Sequence, residues 1–426
     1  GAASLNTMTR TADNWLEPLA KSDSAAATAL AAVRSQGLPS ARDEHWSYAH
    51  LRSLAGVQQL AAITADAAAA AVTAAPSLPA PLPGIPRLVL VDGHPQAALC
   101  DPGAWNALTI SSDPLPLKFT DPDLRFGSLA ALLSSQALQL QPSSHSDNAL
   151  ELLYLHTGQR GSVYPRLSLK LPANARMTLV ERHSGGTHAE SLLCSALDID
   201  MSSGSRLELH RLHEFGSSTL LLDQLQMRLA DNAECEIHQL SAGGSITRHS
   251  VVAQLAGRDA RFSWHGAAVQ QDDERHDSLV RIRHEAAASH SDYRFRALAA
   301  GRAHVSATAD VLVPDSAHGA RVRQSLRGLI DGRGAHINLR PRLEINTNDI
   351  QASHGATTGQ LDEQLLFYLL SRGLDTREAR AMLMWAFLAD VVGTVRQPAL
   401  RRAAEEIAAR HLADAATLQL AGSLLS

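Results

Sequence analysis

The chain contains few of the side chains from which disulfide frameworks and cysteine-based metal sites are built. It has three cysteines, Cys100, Cys194 and Cys235. None of them belongs to a CxxC pair, and an odd number at wide spacing does not indicate a set of disulfides. Because free cysteine is among the most buried residue types, we expect three reduced and mostly buried thiols.

Aromatic and charged side chains are also scarce. Aromatic residues make up 4% of the chain, charged residues 19%, and the formal net charge is -5. This composition argues against a general DNA- or RNA-binding protein, which needs positive charge and, for single strands, aromatic stacking surfaces. No apolar run approaches the roughly 20 residues that cross a bilayer, and no signal-peptide pattern opens the sequence. We therefore expect a cytoplasmic protein without membrane contact.

Residues 1–146 are predicted to form an N-terminal helical or mixed region. Residues 8 to about 75 are mostly rich in alanine and leucine, which favour helices. Leu88–Gly93 predicts a strand that leads into a turn, and Phe126–Leu140 predicts a helix. Two aromatic residues of this region are interpreted as packing anchors: Trp46 and Tyr48.

A spaced recurrence follows in residues 147–352. Similar turn-then-strand segments recur at intervals of roughly 27 to 30 residues. Each interval contains two strand-like runs and no helix, which predicts a flattened parallel β-solenoid. A β-sandwich is the alternative, but the nearly constant period favours the solenoid. The recurrence is counted from four residues that open a strand: Met177, Leu207, Cys235 and Phe262.

Residues 353–426 are predicted to form a C-terminal helical domain, because apolar residues recur at helical spacing from Leu361 onward. At its start, Gly355 and Gly359 are expected to adopt backbone conformations that other residues disfavour, and Thr358 to cap the first helix. His354 then lies at a junction between an extended and a helical domain. Later helices are predicted to start at Asp375 or Thr376 and to span Leu400–Leu420.

Three stretches carry a resemblance to a known family. Leu343–Asp362 reads LEI-x-x-x-D-I-x-x-SHGAT-x-G-x-L-D, Phe367–Gly373 reads FYL-x-SRG, and Ala379–Phe387 reads A-x-x-M-x-x-x-AF. They resemble the C-terminal region of the SufB/SufD family, the scaffold subunits of the SUF system of iron–sulfur cluster assembly. The long helical N-terminus is more similar to the SufD branch. Members of the family often have cysteine where this chain has Ala352.

The resemblance implies a right-handed parallel β-helix flanked by helices, and a non-catalytic scaffold. In the family, SufD pairs with SufB through the β-helix, and the histidine that corresponds to His354 faces a SufB cysteine where a nascent iron–sulfur cluster is thought to form. The resemblance therefore implies iron or a cluster shared with SufB, and no cofactor held by this chain alone. A purely structural role for His354, tying strand to helix, is the alternative. A role for reduced flavin has no fingerprint in this sequence.

The family also docks the ABC-type ATPase SufC on its C-terminal helical domain. No Walker A sequence occurs here, so nucleotide hydrolysis would belong to that partner. The alternative is that the aromatic residues of these helices pack on the end of the β-helix. The candidate partner-binding residues are Phe367, Tyr368, Arg372, Gly373, Trp385 and Phe387.

The chain has 20 histidines, many of them in the β region. We expect most to be solvated strand or loop residues, since no HxH or HExxH sequence indicates a closed metal site. Two match family histidines loosely and are weak site candidates: His276 and His284.

Two other functions remain open from the sequence. An enzyme on a β-helix, such as a carbohydrate-active lyase or hydrolase, would need a carboxylate cluster, for which Asp272, Asp273 and Glu274 are the candidates. A homodimeric β-solenoid binding module is the other, since an unpaired solenoid edge can pair with a second copy.

Overall fold

The structure is a computed structural model of the 426-residue chain. It describes residues 43–47, 61–72, 78–106, 108–111, 121–134, 136–144, 147–185 and 190–412, with the single residues 35, 39 and 119. Most of the predicted N-terminal helical segment, Tyr48 and the part of the last predicted helix beyond residue 412 lie outside the described residues. Those predictions stay predictions.

Two sheets, each of ten strands, face each other across a common interior. Sheet 1 is formed by β1 (Arg87–Val91), β2 (His94–Pro95), β5 (Asp147–Leu155), β8 (Arg176–Ser184), β10 (Arg206–Phe215), β12 (Glu234–Gly243), β14 (Arg261–Gln270), β16 (His290–Ala300), β18 (Ala320–Asp331) and β20 (Ile350–Gln360). Sheet 2 is formed by β3 (Leu108–Ser111), β4 (Ala137–Leu140), β6 (Gly161–Val163), β7 (Arg166–Leu171), β9 (Ser191–Met201), β11 (Thr219–Leu229), β13 (Ile246–Leu255), β15 (Arg275–His284), β17 (His304–Val313) and β19 (His336–Ile345).

The chain alternates between the two sheets and advances one strand position at each return, which makes a parallel β-solenoid and confirms that prediction over the sandwich. The predicted recurrence is visible in the register. Leu207 of β10 pairs with Met177 of β8 and Cys235 of β12, and Cys235 pairs with Phe262 of β14. All four side chains are buried in one core between the sheets.

The turns before these strands explain the period. Asn174, Gly204, Asn232 and Asp259 have φ values of 59°, 69°, 55° and 58°. Asn, Asp and Gly adopt this left-handed conformation at the lowest cost. The turns also stack: the N–H of Asn174 donates to Ser203 O at 3.0 Å, and that of Asn232 to Arg258 O at 2.8 Å. Each coil therefore positions the turn of the next.

Five helices lie outside the solenoid in the described part of the chain. They are α1 (Ala65–Ala71), α2 (Arg125–Leu133), α3 (Glu363–Ser371), α4 (Thr376–Val392) and α5 (Pro398–Leu412). Helices α4 and α5 pack on sheet 1, where Leu388 and Ile407 meet Leu240. Helix α2 packs on sheet 2 together with Trp46, which is fully buried as predicted and lies 5.3 Å from the Phe126 ring. None of the helices in the described part of the chain is long and apolar enough to cross a membrane.

Several local predictions were wrong. The chain is not helical directly after His354, because β20 continues to Gln360 and α3 begins only at Glu363. Asp362, not Thr358, caps α3 and accepts the N–H groups of Gln364 and Leu365. Gly355 and Gly359 lie in this strand, in open space and without a positive φ.

The start of the solenoid was also misplaced. The predicted strand at Leu88–Gly93 is confirmed as β1, but it pairs in parallel with β5, so the parallel sheet includes chain before residue 147. The predicted helix Phe126–Leu140 ends at Leu133, and Ala137–Leu140 is strand β4. The predicted helix start at Asp375 or Thr376 is confirmed, since α4 begins at Thr376 and Asp375 caps it through a capping box with Glu378.

Candidate functional site

The last coil of the solenoid is uncovered on its far side within the described part of the chain. Strand β19 pairs only with β17, and β20 only with β18. Residues 351–360 of β20 are all exposed. A long strand with unpaired backbone groups is a template for pairing with another chain. This open end is the most prominent surface feature of the fold.

The backbone of β20 presents alternate groups to this free edge. The Arg321 N–H donates to Ser289 O, towards the preceding strand, at 3.0 Å. Gln351 of β20 is in register with Arg321 of β18. Because the two residues are equivalent in successive coils, the Gln351 N–H points towards β18, as the Arg321 N–H points towards the strand before it. Backbone groups point to opposite sides at successive residues of a strand. We infer that the following residues direct their N–H groups to the free edge: Ala352, His354, Ala356 and Thr358.

The neighbouring edge, that of β19, is partly blocked. The His336 N–H donates to Ala303 O at 2.9 Å, towards the solenoid, so residues at odd positions face the free edge. One of these is Pro341, which has no N–H to offer a partner strand. Strand β20 contains no proline. It is therefore the more complete pairing edge of the two.

His354 lies in the middle of this edge. It is in register with Gln324, which is itself in register with Tyr293 of the buried core. Side chains in register on parallel strands face the same side, so His354 projects over the open end of the solenoid interior. It is exposed, and no hydrogen bond or ion pair to its ring is found among the described residues. Its two nitrogens are free to bind a ligand from outside the chain.

Ala352 precedes His354 by two positions on the same face of β20. A cysteine here would place a thiol roughly 7 Å along the strand from His354. Alanine supplies no ligand atom, so the side-chain donors of β20 itself are the His354 imidazole and hydroxyl and amide groups.

The three cysteines do not approach this edge. Cys194 and Cys235 are buried, and Cys100 is partly buried, which matches the prediction. Burial raises the pKa of all three thiols above the ordinary value. None of them is placed to act as an exposed thiolate ligand.

The weak candidates His276 and His284 are buried inside the solenoid. His284 is fully buried, and its ring nitrogens lie 2.8 Å from the hydroxyl oxygens of Ser289 and Ser291. Burial lowers the pKa of His284 to about 4 and that of His276 well below its ordinary value. These two histidines lie in the interior, whereas His354 is at the surface.

The prediction that most of the β-region histidines are solvated was wrong for a large group of them. The buried ones are His183, His210, His213, His238, His249, His265, His276 and His284. The structure also brings Glu181, His183 and His213 together inside the solenoid. A signal for this was available: His183 and His213 are 30 residues apart, one period of the repeat, and they are in register on β8 and β10.

The acidic run that an enzyme would need does not converge. Asp273 is exposed, and its Oδ1 accepts from Arg302 Nε at 2.8 Å. Glu274 is buried, and its Oε2 lies 2.8 Å from His411 Nε2 on α5. Asp272 has a φ of 53° and forms a turn. The three carboxylates therefore serve a turn and two ion pairs, and they give no support to the enzyme hypothesis.

A second surface feature lies on α3, which buries none of its residues. Phe367 is 73% exposed and Tyr368 52% exposed. The guanidinium carbon of Arg372 lies 5.0 Å from the centre of the Tyr368 ring. Gly373, with a φ of 96°, ends the helix and donates its N–H to Leu370 O. Exposed aromatic side chains of this size are typical of interfaces.

The other two candidate partner-binding residues are placed differently. Trp385 and Phe387 on α4 are partly buried and pack against the cluster that joins α4 and α5 to sheet 1. This packing agrees with the alternative given above, in which aromatic residues of the C-terminal helices pack on the β-solenoid instead of binding a partner. The name exposed patch is used below for the exposed side chains of this segment, which are Leu365, Tyr368 and Arg372 on one side and Phe367 on another.

Comparison with known proteins gives a consistent result. The family model for the SufBD core domain of SUF-system FeS cluster assembly matches residues 154–387. The iron–sulfur cluster assembly protein SufD of Escherichia coli (strain K12) is 24% identical, over 86% of this chain and 87% of that protein. The SufBD family protein slr0076 of Synechocystis is 22% identical over 84% of both chains. The SufBD family protein Rv1462 of Mycobacterium tuberculosis is 23% identical, over 57% of this chain and 62% of that protein.

The matched region contains every coil from β8 to β20, with His354, and both α3 and the start of α4. It spans more than half of the 426 residues. The chain therefore belongs to the SufBD family of SUF-system iron–sulfur cluster assembly proteins.

Proposed function

We propose that the chain is a non-catalytic scaffold subunit for iron–sulfur cluster assembly, which pairs with a SufB subunit through the open end of its solenoid. The observation that carries the proposal is the unpaired edge of β20 with His354 at its centre. Its cargo is iron or a nascent iron–sulfur cluster held between the two subunits.

Pairing through β20 suits the chemistry of this strand. Its sequence, IQASHGATTGQ, contains no charged side chain that would oppose a second strand. Natural proteins protect free edges with charges, prolines or bulges. Of the two edges at this end of the solenoid, β19 contains Pro341 and the charged residues Arg340 and Arg342, whereas β20 contains neither feature. A partner strand with a similar free edge would continue the sheet through backbone hydrogen bonds.

The proposed role of His354 follows from what surrounds it. An imidazole is a suitable ligand for iron, and the remaining ligands of an iron–sulfur species are thiolates and sulfide. The thiols of this chain are remote from the edge and held protonated by burial. The thiolate must therefore come from the partner, which makes the site a shared one.

The exposed patch on α3 is the proposed docking site for the SufC ATPase. It lies directly after β20, with only Leu361 and Asp362 between the strand and the helix. A displacement of α3 by a nucleotide-driven partner would therefore act on the end of β20. This continuity links the two proposed interfaces in one segment of chain.

The test is co-purification of a tagged form of this chain with SufB and SufC from the same organism. We expect both partners to be recovered, with SufC lost and SufB kept when Phe367 is changed to Ser. Recovery of neither partner from the wild-type chain would refute the proposal.

A homodimer is the second candidate, because the same free edge of β20 can pair with another copy. It predicts a dimer in the absence of SufB that dissociates when SufB is added. A homodimer that persists in the presence of SufB, with no heteromer formed, would favour this candidate over the scaffold.

A further inference from the structure

The interior of the solenoid contains a buried polar network between β8, β10, β11 and β13. At its centre, Arg211 donates to both oxygens of Glu181, from Nε to Oε2 at 3.2 Å and from Nη2 to Oε1 at 3.1 Å. It also donates from Nη1 to Asp223 Oδ2 at 2.7 Å. Asp223 Oδ2 also lies 2.8 Å from His249 Nδ1. All of these side chains are buried, and a buried charge needs close partners to offset the cost of its desolvation.

Two imidazoles converge on one oxygen of Glu181. The distance from Oε1 is 3.0 Å to His183 Nε2 and 3.4 Å to His213 Nε2. Ligand atoms held about 2.1 Å from one metal ion, at tetrahedral or octahedral angles, are about 3.0–3.4 Å apart. The three side chains each present one ligand atom within 4.8 Å of the others. The two distances to Glu181 Oε1 thus fit ligands of a single ion.

The His213 ring supplies a second indication of a ligand. It is 1% exposed, and within the described part of the chain neither ring nitrogen has a well-formed hydrogen bond, since Glu181 Oε1 lies 3.4 Å from Nε2. A buried polar atom without a partner is costly, and each case calls for an explanation such as a bound ion. A metal ion bonded to Nε2 would satisfy that nitrogen.

His183 has the second contact that metal-bound histidines usually show. Its Nδ1 lies 3.2 Å from His156 Nε2, while its Nε2 faces Glu181. A hydrogen bond at the far nitrogen fixes the tautomer and the orientation of a metal ligand. The Tyr154 ring stacks on the same imidazole at 4.5 Å and holds it in place.

The charges around the three side chains also favour a cation. The carboxylates of Glu181 and Asp223 face one guanidinium, that of Arg211, and this excess of negative charge favours a cation.

We propose that Glu181, His183 and His213 form a binding site for a divalent transition-metal ion inside the solenoid. Two imidazoles and one carboxylate suit iron(II) or zinc. A cavity of about 320 Å³ is lined by Tyr154, whose ring stacks on His183, and by His94 and Arg166. The site is separate from His354 and does not depend on the proposed function.

The test uses cobalt(II) and zinc(II) as probes on the full chain, purified alone and stripped with a chelator. We expect one cobalt per chain by elemental analysis, with visible d–d absorption. His183→Gln and His213→Gln should weaken binding at least about 100-fold, and His156→Phe about 10- to 100-fold. One control should bind as the wild type does: His276→Gln, which changes another buried histidine.

Several results would overturn the proposal. They are no bound metal in the wild type, equal binding by the wild type and both glutamine variants, and loss of binding only in His354→Ala. If the glutamine variants do not fold, X-ray absorption of the zinc-loaded wild type decides. It should show two imidazoles and oxygen, and a thiolate or a single imidazole would refute the site.

Discussion

Changing Ala356 to proline should separate the folding of this chain from its pairing with SufB. We inferred above that Ala356 directs its N–H to the free edge, whereas Thr357 faces β18. Proline removes the N–H and is tolerated on a strand mainly where that group faces solvent. The Ala356→Pro chain should therefore fold, with β20 still paired to β18.

The expected effect on pairing is large. The substitution removes one hydrogen bond between subunits, which contributes about 1 kcal/mol, and leaves a partner carbonyl unsatisfied at a cost of about 1–3 kcal/mol. The sum, about 2–4 kcal/mol, corresponds to a Kd for SufB that rises about 30- to 700-fold. Biolayer interferometry with immobilised SufB measures this change directly.

Two controls make the result interpretable. Ala356→Ser keeps the N–H and nearly the size of the side chain, so its Kd should match that of the wild type. Thr357→Pro removes a hydrogen bond to β18, so hydrogen exchange of β20 in the isolated chain should accelerate in this variant and not in Ala356→Pro. Equal SufB affinities for Ala356→Pro and Ala356→Ser, with both chains folded, would refute pairing through this edge.

Two further predictions concern other parts of the molecule. Phe367→Ser removes a side chain that is 73% exposed, so the free energy of unfolding should change by less than about 0.5 kcal/mol. The affinity for SufC should nevertheless fall about 30-fold or more, because exposed aromatic residues often dominate binding at interfaces. An unchanged affinity in a titration with SufC would contradict docking on α3. His284 has its pKa lowered by burial to about 4. In the unfolded chain the His284 imidazole binds a proton below about pH 6.5, whereas in the folded chain it stays neutral down to about pH 4. The free energy of unfolding should therefore be unaffected by His284 above about pH 6.5 and should fall by about 1.4 kcal/mol per pH unit between about pH 6.5 and pH 4. Denaturant unfolding at several pH values measures how the free energy of unfolding changes with pH. This change should be smaller for His284→Asn than for the wild type, and an equal change in both would contradict the lowered pKa of His284.

The solenoid was predictable because the same residue types recur at its turns, where the backbone has a positive φ that asparagine, aspartate and glycine adopt most easily. Asn174, Asn232 and Asp259 occupy turns with positive φ, and each is followed at the same offset by an apolar residue that enters the core. The period of these pairs sets the number of strands per coil. It does not set where the solenoid begins, since β1 joins the sheet from outside the repeat.

The terminal strand could not be recognised by the same reasoning. An inner strand alternates buried apolar residues with others, but β20 has no covered face to bury, and its small polar residues and glycines are typical of a loop. The absence of hydrophobic alternation there is a consequence of the open end. The resemblance in the Leu343–Asp362 motif, not periodicity, pointed to His354.

The buried histidines were misjudged for a different reason. A polar side chain on a strand is usually solvated, and the local sequence around His183 or His213 does not indicate that the side chain is buried. Glu181 and His183 lie two residues apart on β8, but His213 reaches them only because the next coil stacks on β8 and puts His213 in register with His183. A search for chemistry-bearing residues at the repeat period would have found them.

The central claim is that His354 contributes to a site shared with SufB. The most direct measurement is the visible absorption of the SufB-containing complex after anaerobic reconstitution with iron and sulfide. It compares the wild type with His354→Ala and with His336→Ala, an exposed histidine of β19 in the same coil. The account predicts that all three complexes form and that only His354→Ala loses the cluster absorbance. Equal absorbance in all three would contradict a ligand role for His354.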